Sequence, residues 1–374
     1  MTTRSRGIRT RVLAGAIIAV ALLLLAEAVT RVATYAAFLH DLHRVTRTAQ
    51  RLAASRDAPT WDVSLLFAPA GTRWAPIPAG DAPPAWARWA DFPRSAFPKP
   101  PAVDAPAPGT LRIACLGDST TWGGYPGPLQ ALVDRRYGPG RVEVANLGAQ
   151  AADLPAVTLL ANRFLPAWHP DLAVVYLGRN DLLFAVARAR AQRAQEIGLP
   201  VTTRLAFRIP PASRGLLDLL SSRLADPLSS PTDRAAVDAI VQARLAADLD
   251  ALLDSLQALG IRPVLSTLAA PSGDPAEVRA VHDHEIRHLW PALGSLDEYL
   301  ARVDAFNAIV RQAASRRGLP LLDTASALSP LPGMFADICH LDGDGVTRHA
   351  DIVFRALLPT LDGLLQEPLA PLAP

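Results

Sequence analysis

Four short blocks of the chain carry residue types that can attack a carbonyl, move a proton or hold an oxyanion. Gly117-Asp118-Ser119-Thr120 places a serine hydroxyl directly after an apolar run. Where a strand gives way to a helix, such a hydroxyl is exposed, with backbone N–H groups nearby and the helix's positive end behind it. The same tripeptide is also ordinary turn chemistry, with Asp or Ser as a helix cap. Asn146-Leu147-Gly148 closes a second apolar run, and a glycine there lets backbone approach a ligand and aim an N–H at it. Gly178-Arg179-Asn180-Asp181 closes a third, and the Asn180 amide is a donor suited to a developing negative oxygen. Near the C-terminus, Asp337-Ile338-Cys339-His340 puts a carboxylate one turn of chain before an imidazole. Such a carboxylate can bond Nδ1–H, fix the tautomer and leave Nε2 to take a hydroxyl proton.

A fifth segment offers different chemistry. His284-Glu285-Ile286-Arg287-His288 matches H-E-x-x-H, two imidazoles one helical turn apart with a glutamate base, as in zinc hydrolases. No third ligand follows convincingly, because Glu298 lies close behind His288 and His340 already has a role. Asp283, Glu285 and Arg287 interleave the histidines as on a solvated helix face, and Pro291 shortens the helix. Asp342-Gly343-Asp344-Gly345 lacks the further oxygen ligands of a calcium loop and reads as a turn with a helix cap. His169 and His349 read as surface or packing residues.

The elements that must position these blocks follow from periodicity. Apolar runs read as strands at Leu111–Leu116, Val142–Asn146, Leu172–Leu177, Pro263–Thr267 and Pro320–Leu322. Helical patterns lie near Pro128–Arg136, Pro155–Ala167, Asp233–Leu259 and Leu296–Arg317, with a last helix from about Gly345 to Leu365. Strands without polar alternation are those of a parallel sheet covered on both faces, which predicts a three-layer α/β/α domain. All four blocks then fall beside the C-terminal ends of its strands, where such sheets bind ligands. Residues 182–230 exceed what one crossover needs and read as an insertion able to shape a pocket or lid.

Half of the 374 residues are hydrophobic and 19% are charged, which excludes a disordered chain. The net charge of +2 argues against a general nucleic-acid binder. Lys99 is the sole lysine, a bias of composition rather than a set of arginine roles. Cys115 and Cys339 are too few for a disulfide scaffold or a cysteine-ligated zinc module; they are either a pair or two buried thiols.

The four blocks together, GDST at 117–120, NLG at 146–148, GRND at 178–181 and DICH at 337–340, resemble those of the SGNH (GDSL-type) hydrolases. Thr121 stands where a G-x-S-x-G elbow has its second glycine, so an α/β-hydrolase elbow is not indicated. The likeness spans about residues 111–362 and is strongest to membrane-anchored bacterial members, through Gly117–Gly123 and Pro170–Asp181. It implies a flavodoxin-like five-stranded sheet in order 2-1-3-4-5 and a serine esterase acting on a glycan, lipid or other ester. It implies Ser119 as nucleophile, His340 as general base and Asp337 as orienter. The implied oxyanion hole is the Ser119 and Gly148 amides with the Asn180 side chain, and no metal or cofactor is implied. Thr120, Ala151 and Ala152 depart from the usual pattern without touching the chemistry. Arg179 stands where many relatives are neutral; it either biases the pocket toward anionic groups or faces solvent. The same residues also suit acyl transfer to a sugar hydroxyl in place of water. A binding module with a dead triad is disfavoured, since every expected side chain is present.

At the N-terminus, Arg4, Arg6, Arg9 and Arg11 precede the uncharged stretch Val12 to Ala26. Charges so placed keep the N-terminus cytoplasmic and send the succeeding chain across the membrane. The stretch is intermediate in length between a signal-peptide core and a full span. Ala26 and Ala28 flank Glu27 as a possible cleavage site, whereas apolar residues continue to Leu39. An uncleaved anchor, a cleaved signal and a buried helix all fit; the anchor accounts for both halves. The expected organisation is a signal anchor and emerging helix at 1–50, a Pro- and Trp-rich connector at 51–110 and the hydrolase domain at 111–374. The anchor would be a single-pass transmembrane helix in the inner membrane, with the catalytic domain periplasmic.

Overall fold

A computed structural model describes residues 18, 20–30, 32–33, 109–149, 151–199 and 227–366. Five strands form one parallel sheet in the order β2-β1-β3-β4-β5: β1 (Leu111–Gly117), β2 (Val142–Gly148), β3 (Leu172–Tyr176), β4 (Arg262–Ser266) and β5 (Leu321–Leu322). Every residue of β1 and β3 is buried, as strands covered on both faces must be. Pairing sets Gly117 opposite Gly148 on one side and Tyr176 on the other. The ends of three strands therefore lie side by side.

The helices are α1 (Ser119–Trp122), α2 (Pro126–Tyr137), α3 (Leu154–Trp168), α4 (Arg179–Glu196), α5 (Pro231–Ala258), α6 (Ala276–Leu289), α7 (Leu296–Arg317), α8 (Thr324–Leu328) and α9 (Gly343–Gln366). Helices α3, α4 and α7 pack around α5, while α9 packs on α2 and α8, giving the two outer layers. Local sequence explains the boundaries. Ser230 caps α5 by accepting from the Asp233 N–H, and its Val237, Val241, Leu245, Leu249, Leu252 and Leu256 recur at helical spacing on the buried face. Ser295 and Glu298 form a reciprocal capping box at the start of α7. Asp342 Oδ1 accepts from the Gly345 N–H at the start of α9, so the Asp-Gly-Asp-Gly segment is a turn and cap.

Two regions bear on the expected organisation. The region read as an insertion from 182 to 230 begins as α4, a helix that starts at Arg179 and packs against α5. Its buried residues include Ala185, Ala189 and Ala194, too small to stand out as an apolar stripe. Residues 200–226 of that region, and the connector up to residue 108, lie outside the described residues. At the N-terminus, residues 20–30 are helical and Leu22 to Leu25 are exposed. Among the described residues no helix is long and apolar enough to cross a membrane.

His349 of α9 is fully buried between the rings of Tyr125 and Tyr176, each centroid 4.4 Å away, and among the described residues neither ring nitrogen has a hydrogen-bond partner. Burial drives its pKa down from 6.5 to about 3. The unfolded chain therefore binds this proton more readily than the native one as pH falls through that window. Stability should drop by about 1.4 kcal/mol per pH unit between those values on this account alone. Acid unfolding followed by circular dichroism should shift to lower pH in His349→Phe, which fills the same aromatic slot without a titrating group. An unshifted midpoint would remove His349 from the account.

Candidate active site

The nucleophile turn is built from a buried strand and a capped half-turn. Asp118 Oδ1 accepts from the Thr120 N–H (2.8 Å) and hydroxyl (2.6 Å), and its carbonyl accepts from the Thr121 and Trp122 N–H groups. These bonds hold Ser119 as the first residue of α1, where the helix itself provides no acceptor for its N–H. Thr121 Oγ1 donates to the Tyr176 carbonyl (2.8 Å), tying α1 to the end of β3. Gly117 is required by this packing: a Cβ there would sit 2.1 Å from Tyr176 O and 2.2 Å from Thr121 Oγ1.

The second block closes over the same half-turn. A Cβ on Gly148 would lie 2.2 Å from the Trp122 nitrogen, so β2 and α1 meet backbone to backbone. Asn146 bridges them: its Nδ2 donates to Trp122 O (2.7 Å), and its Oδ1 accepts from the Gly148 N–H (3.0 Å). The amide expected to face an oxyanion is thus bonded to Asn146 in this structure.

The third block begins α4. Asn180 is buried, with Nδ2 donating to Ala152 O (3.2 Å) and Oδ1 accepting from Arg179 Nη1 (3.0 Å). Asp181 Oδ1 accepts from the Leu154 N–H (2.6 Å) and so joins the start of α4 to that of α3. Burial pushes the Asp181 carboxyl well above its ordinary pKa, and the charges of Asp153 and Asp118 add to the rise.

The fourth block is a tight turn before α9. Asp337 Oδ1 accepts from the backbone N–H groups of Cys339 (2.8 Å) and His340 (2.7 Å), while Oδ2 lies 2.6 Å from His340 Nδ1. On the far side of the ring, His340 Nε2 is 2.8 Å from Ser119 Oγ. A carboxylate only accepts, so the proton resides on Nδ1 and Nε2 presents a lone pair to the serine hydroxyl. Burial would raise the Asp337 carboxyl, but the His340 charge and ring bond, with the two backbone donors, outweigh it and hold it below its ordinary range. For His340, burial opposes protonation, yet the Asp337 charge and hydrogen bond prevail and raise the imidazole above 6.5. All three groups are buried. Such an arrangement can draw the proton from a serine hydroxyl as that oxygen attacks a carbonyl carbon.

Residues 115–348 match the family model described as GDSL-like lipase/acylhydrolase. The chain belongs to this family. This GDSL-like acylhydrolase is accordingly an ester-hydrolysing enzyme. No curated protein matches it. Among solved structures it is similar to an acetyl xylan esterase, AlAXEase, at 16% identity over 66% of this chain and 100% of the other, with a TM-score of 0.40. It is similar to the lipase/acylhydrolase from Enterococcus faecalis at 16% identity over 70% and 100% of the two chains, TM-score 0.41. A family 3 carbohydrate esterase from Clostridium thermocellum aligns at 15% identity over 68% and 99%, TM-score 0.37.

The acylhydrolase's structure bears on three other readings. Arg179 does not face solvent: it is 9% exposed, bonded to Asn180, with its guanidinium carbon 4.0 Å from the centroid of the Trp290 ring. Trp290, the residue that ends α6, supplies the ring it lies over. The H-E-x-x-H helix is not solvated along the His282–Glu285 face, for both residues are buried. His282 Nε2 lies 3.3 Å from Asp274 Oδ2 and Nδ1 lies 3.9 Å from Glu285 Oε2. Burial opposes the charge on His282, but its Asp274 and Glu285 partners push its pKa up to about 9. The side chain of His288 lies outside the described residues. Among the described residues the one set of three potential ligand atoms lying within 4.8 Å of one another is Asp337, Cys339 and His340. Finally, Cys115 and Cys339 are both free and buried, and burial drives the Cys115 thiol up to about 12.

Sequence reasoning passed over Asn146, Thr121 and Trp290. Asn146 had a signal, since it stands in the second block, but its bridge to α1 depends on how two strands meet. Trp290 had none before α6 was docked.

Proposed function

We propose that this acylhydrolase cleaves a carboxylic ester through an acyl-serine intermediate, with Ser119 as nucleophile, His340 as general base and Asp337 as its orienter. The contact that carries this reading is the 2.8 Å approach of His340 Nε2 to Ser119 Oγ, backed by the 2.6 Å bond to Asp337. Ser119 Oγ attacks the ester carbonyl carbon as His340 takes its proton; the proton then passes to the departing alkoxide, leaving acyl-serine. Water, deprotonated by the same imidazole, releases the acid and restores the serine.

The tetrahedral oxyanion is held by the N–H of Ser119 and the Asn180 amide, whose two hydrogens allow it to keep Ala152 while serving the substrate. Gly148 is the third donor, and its bond to Asn146 must be shared or exchanged in the transition state. Asn180→Ala should lower kcat on p-nitrophenyl acetate by about 10²–10³ with little change in KM, since the interaction matures only in the transition state.

The natural substrate is an O-acyl or O-acetyl group of a glycan, or a lipid ester, met outside the cytoplasm by an enzyme anchored through its N-terminus. The arginines ahead of Val12–Ala26 and the exposed leucines 22–25 support that placement. Membrane fractionation of the full chain, with protease access from the periplasmic side, tests it. A serine-directed phosphonate should label Ser119 and abolish turnover, while a chelator should leave turnover intact. Loss of activity to the chelator would redirect the chemistry to a metal, and transfer of acetyl to an added glycan would replace water as acceptor.

A further inference from the structure

We propose that Arg179 is a positioning residue for ester cleavage: its guanidinium sets which edge of the Asn180 carboxamide faces the reacting carbonyl. The proposal rests on the reading of Asn180 as an oxyanion donor.

A carboxamide is nearly symmetric in shape and opposite in polarity at its two ends, and its terminal torsion is soft. Turned one way, Asn180 offers N–H to a developing oxyanion. Turned the other way, it offers an oxygen lone pair, and attraction becomes repulsion. Two neighbours of opposite type decide between these states. The guanidinium only donates, so Nη1, 3.0 Å from Oδ1, can pair only with the oxygen edge. The Ala152 carbonyl only accepts, so at 3.2 Å it takes the nitrogen edge. A positive donor on Oδ1 also polarises the amide and strengthens the N–H groups at its far end.

The guanidinium is itself held in place. It lies over the Trp290 ring at 4.0 Å in a residue 9% exposed, close enough for the attraction between a cation and a ring face to matter. The buried Glu285 carboxylate interacts with its charge, as does Asp118. Glu285 of the H-E-x-x-H segment thereby gains a use with no metal in it: it provides countercharge for a buried arginine. An arginine stacked on an indole and spent on a neighbouring amide is poorly placed to grip an anionic substrate.

The test is a double-variant cycle on the full chain with p-nitrophenyl acetate, comparing wild type, Arg179→Met, Asn180→Ala and the combination, with thermal melts of each. Arg179→Met should lower kcat about 10- to 100-fold, the range for losing a charged hydrogen bond, with KM within about twofold. In the Asn180→Ala background the same substitution should cost less than about threefold, because nothing is left to orient. Arg179→Lys should recover part of the loss. Trp290→Leu, which leaves the arginine but removes its platform, should show a smaller kcat loss that also vanishes without Asn180, and it stands in should Arg179→Met misfold. Equal losses in both backgrounds, or a rise confined to KM, would overturn the proposal while leaving Asn180 as a donor. Full kcat in Asn180→Ala would overturn the donor reading and the proposal together.

Discussion

Replacement of Ser119 by alanine should lower kcat on p-nitrophenyl acetate by about 10⁶, leaving only the residual rate that substrate binding and the oxyanion donors sustain. The size follows from the bond that is lost. Without Oγ no acyl-enzyme forms, and water would have to attack from a position that the structure shapes for a side-chain oxygen. His340 Nε2, 2.8 Å from that oxygen, would then have no hydroxyl to deprotonate. His340→Ala should cost nearly as much, and the double variant should be little worse than either single one, because the two groups act as a unit. Burst kinetics and phosphonate labelling should vanish in Ser119→Ala while its melting curve stays near wild type. Wild-type turnover in that variant would exclude the serine as nucleophile.

Asp337→Asn should cost about 10⁴ in kcat without disturbing the fold, through the wrong tautomer rather than a lost shape. Asparagine can turn an NH₂ toward Nδ1, which forces the imidazole proton onto Nε2, where it faces Ser119 and cannot accept. A pH profile separates this from simple damage. The acid limb of kcat/KM in the wild-type enzyme reports protonation of His340, since only the neutral ring is a base. Burial lowers that pKa, Asp337 and Asp118 raise it, Arg179 lowers it, and the sum is a rise. The limb should therefore fall above 6.5, with activity lost as pH drops through it. In Asp337→Asn the largest raising charge is gone while burial remains, so the limb should move to lower pH as the plateau collapses. A plateau loss with an unmoved limb would show that Asp337 does not set the protonation of His340.

Much of this architecture is local information. The five apolar runs became the five strands with ends displaced by a residue or two, because a parallel strand covered on both faces announces itself by unbroken hydrophobicity. Helices α5 and α7 were equally legible from their helical spacing. Helix α4 was not. Much of its inward face is alanine, and Arg188, Arg190 and Arg193 mask the contrast on which periodicity depends. The solvated reading of α6 failed for the opposite reason, since Glu285, which looks solvated in sequence, is buried beside His282, itself against Asp274.

By itself the sequence determined which residues could react and that they would gather at one edge of a parallel sheet, because turn chemistry and strand hydrophobicity are properties of neighbouring residues. Only the tertiary structure decided that Ser119 and His340, 221 positions apart, are in hydrogen-bond contact, that Asn146 ties the second strand to the nucleophile turn, and that Arg179 faces Asn180. Those are choices of partner. A buried polar group takes whatever complementary atom the packing of distant segments brings within about 3 Å, and no local pattern encodes that distance.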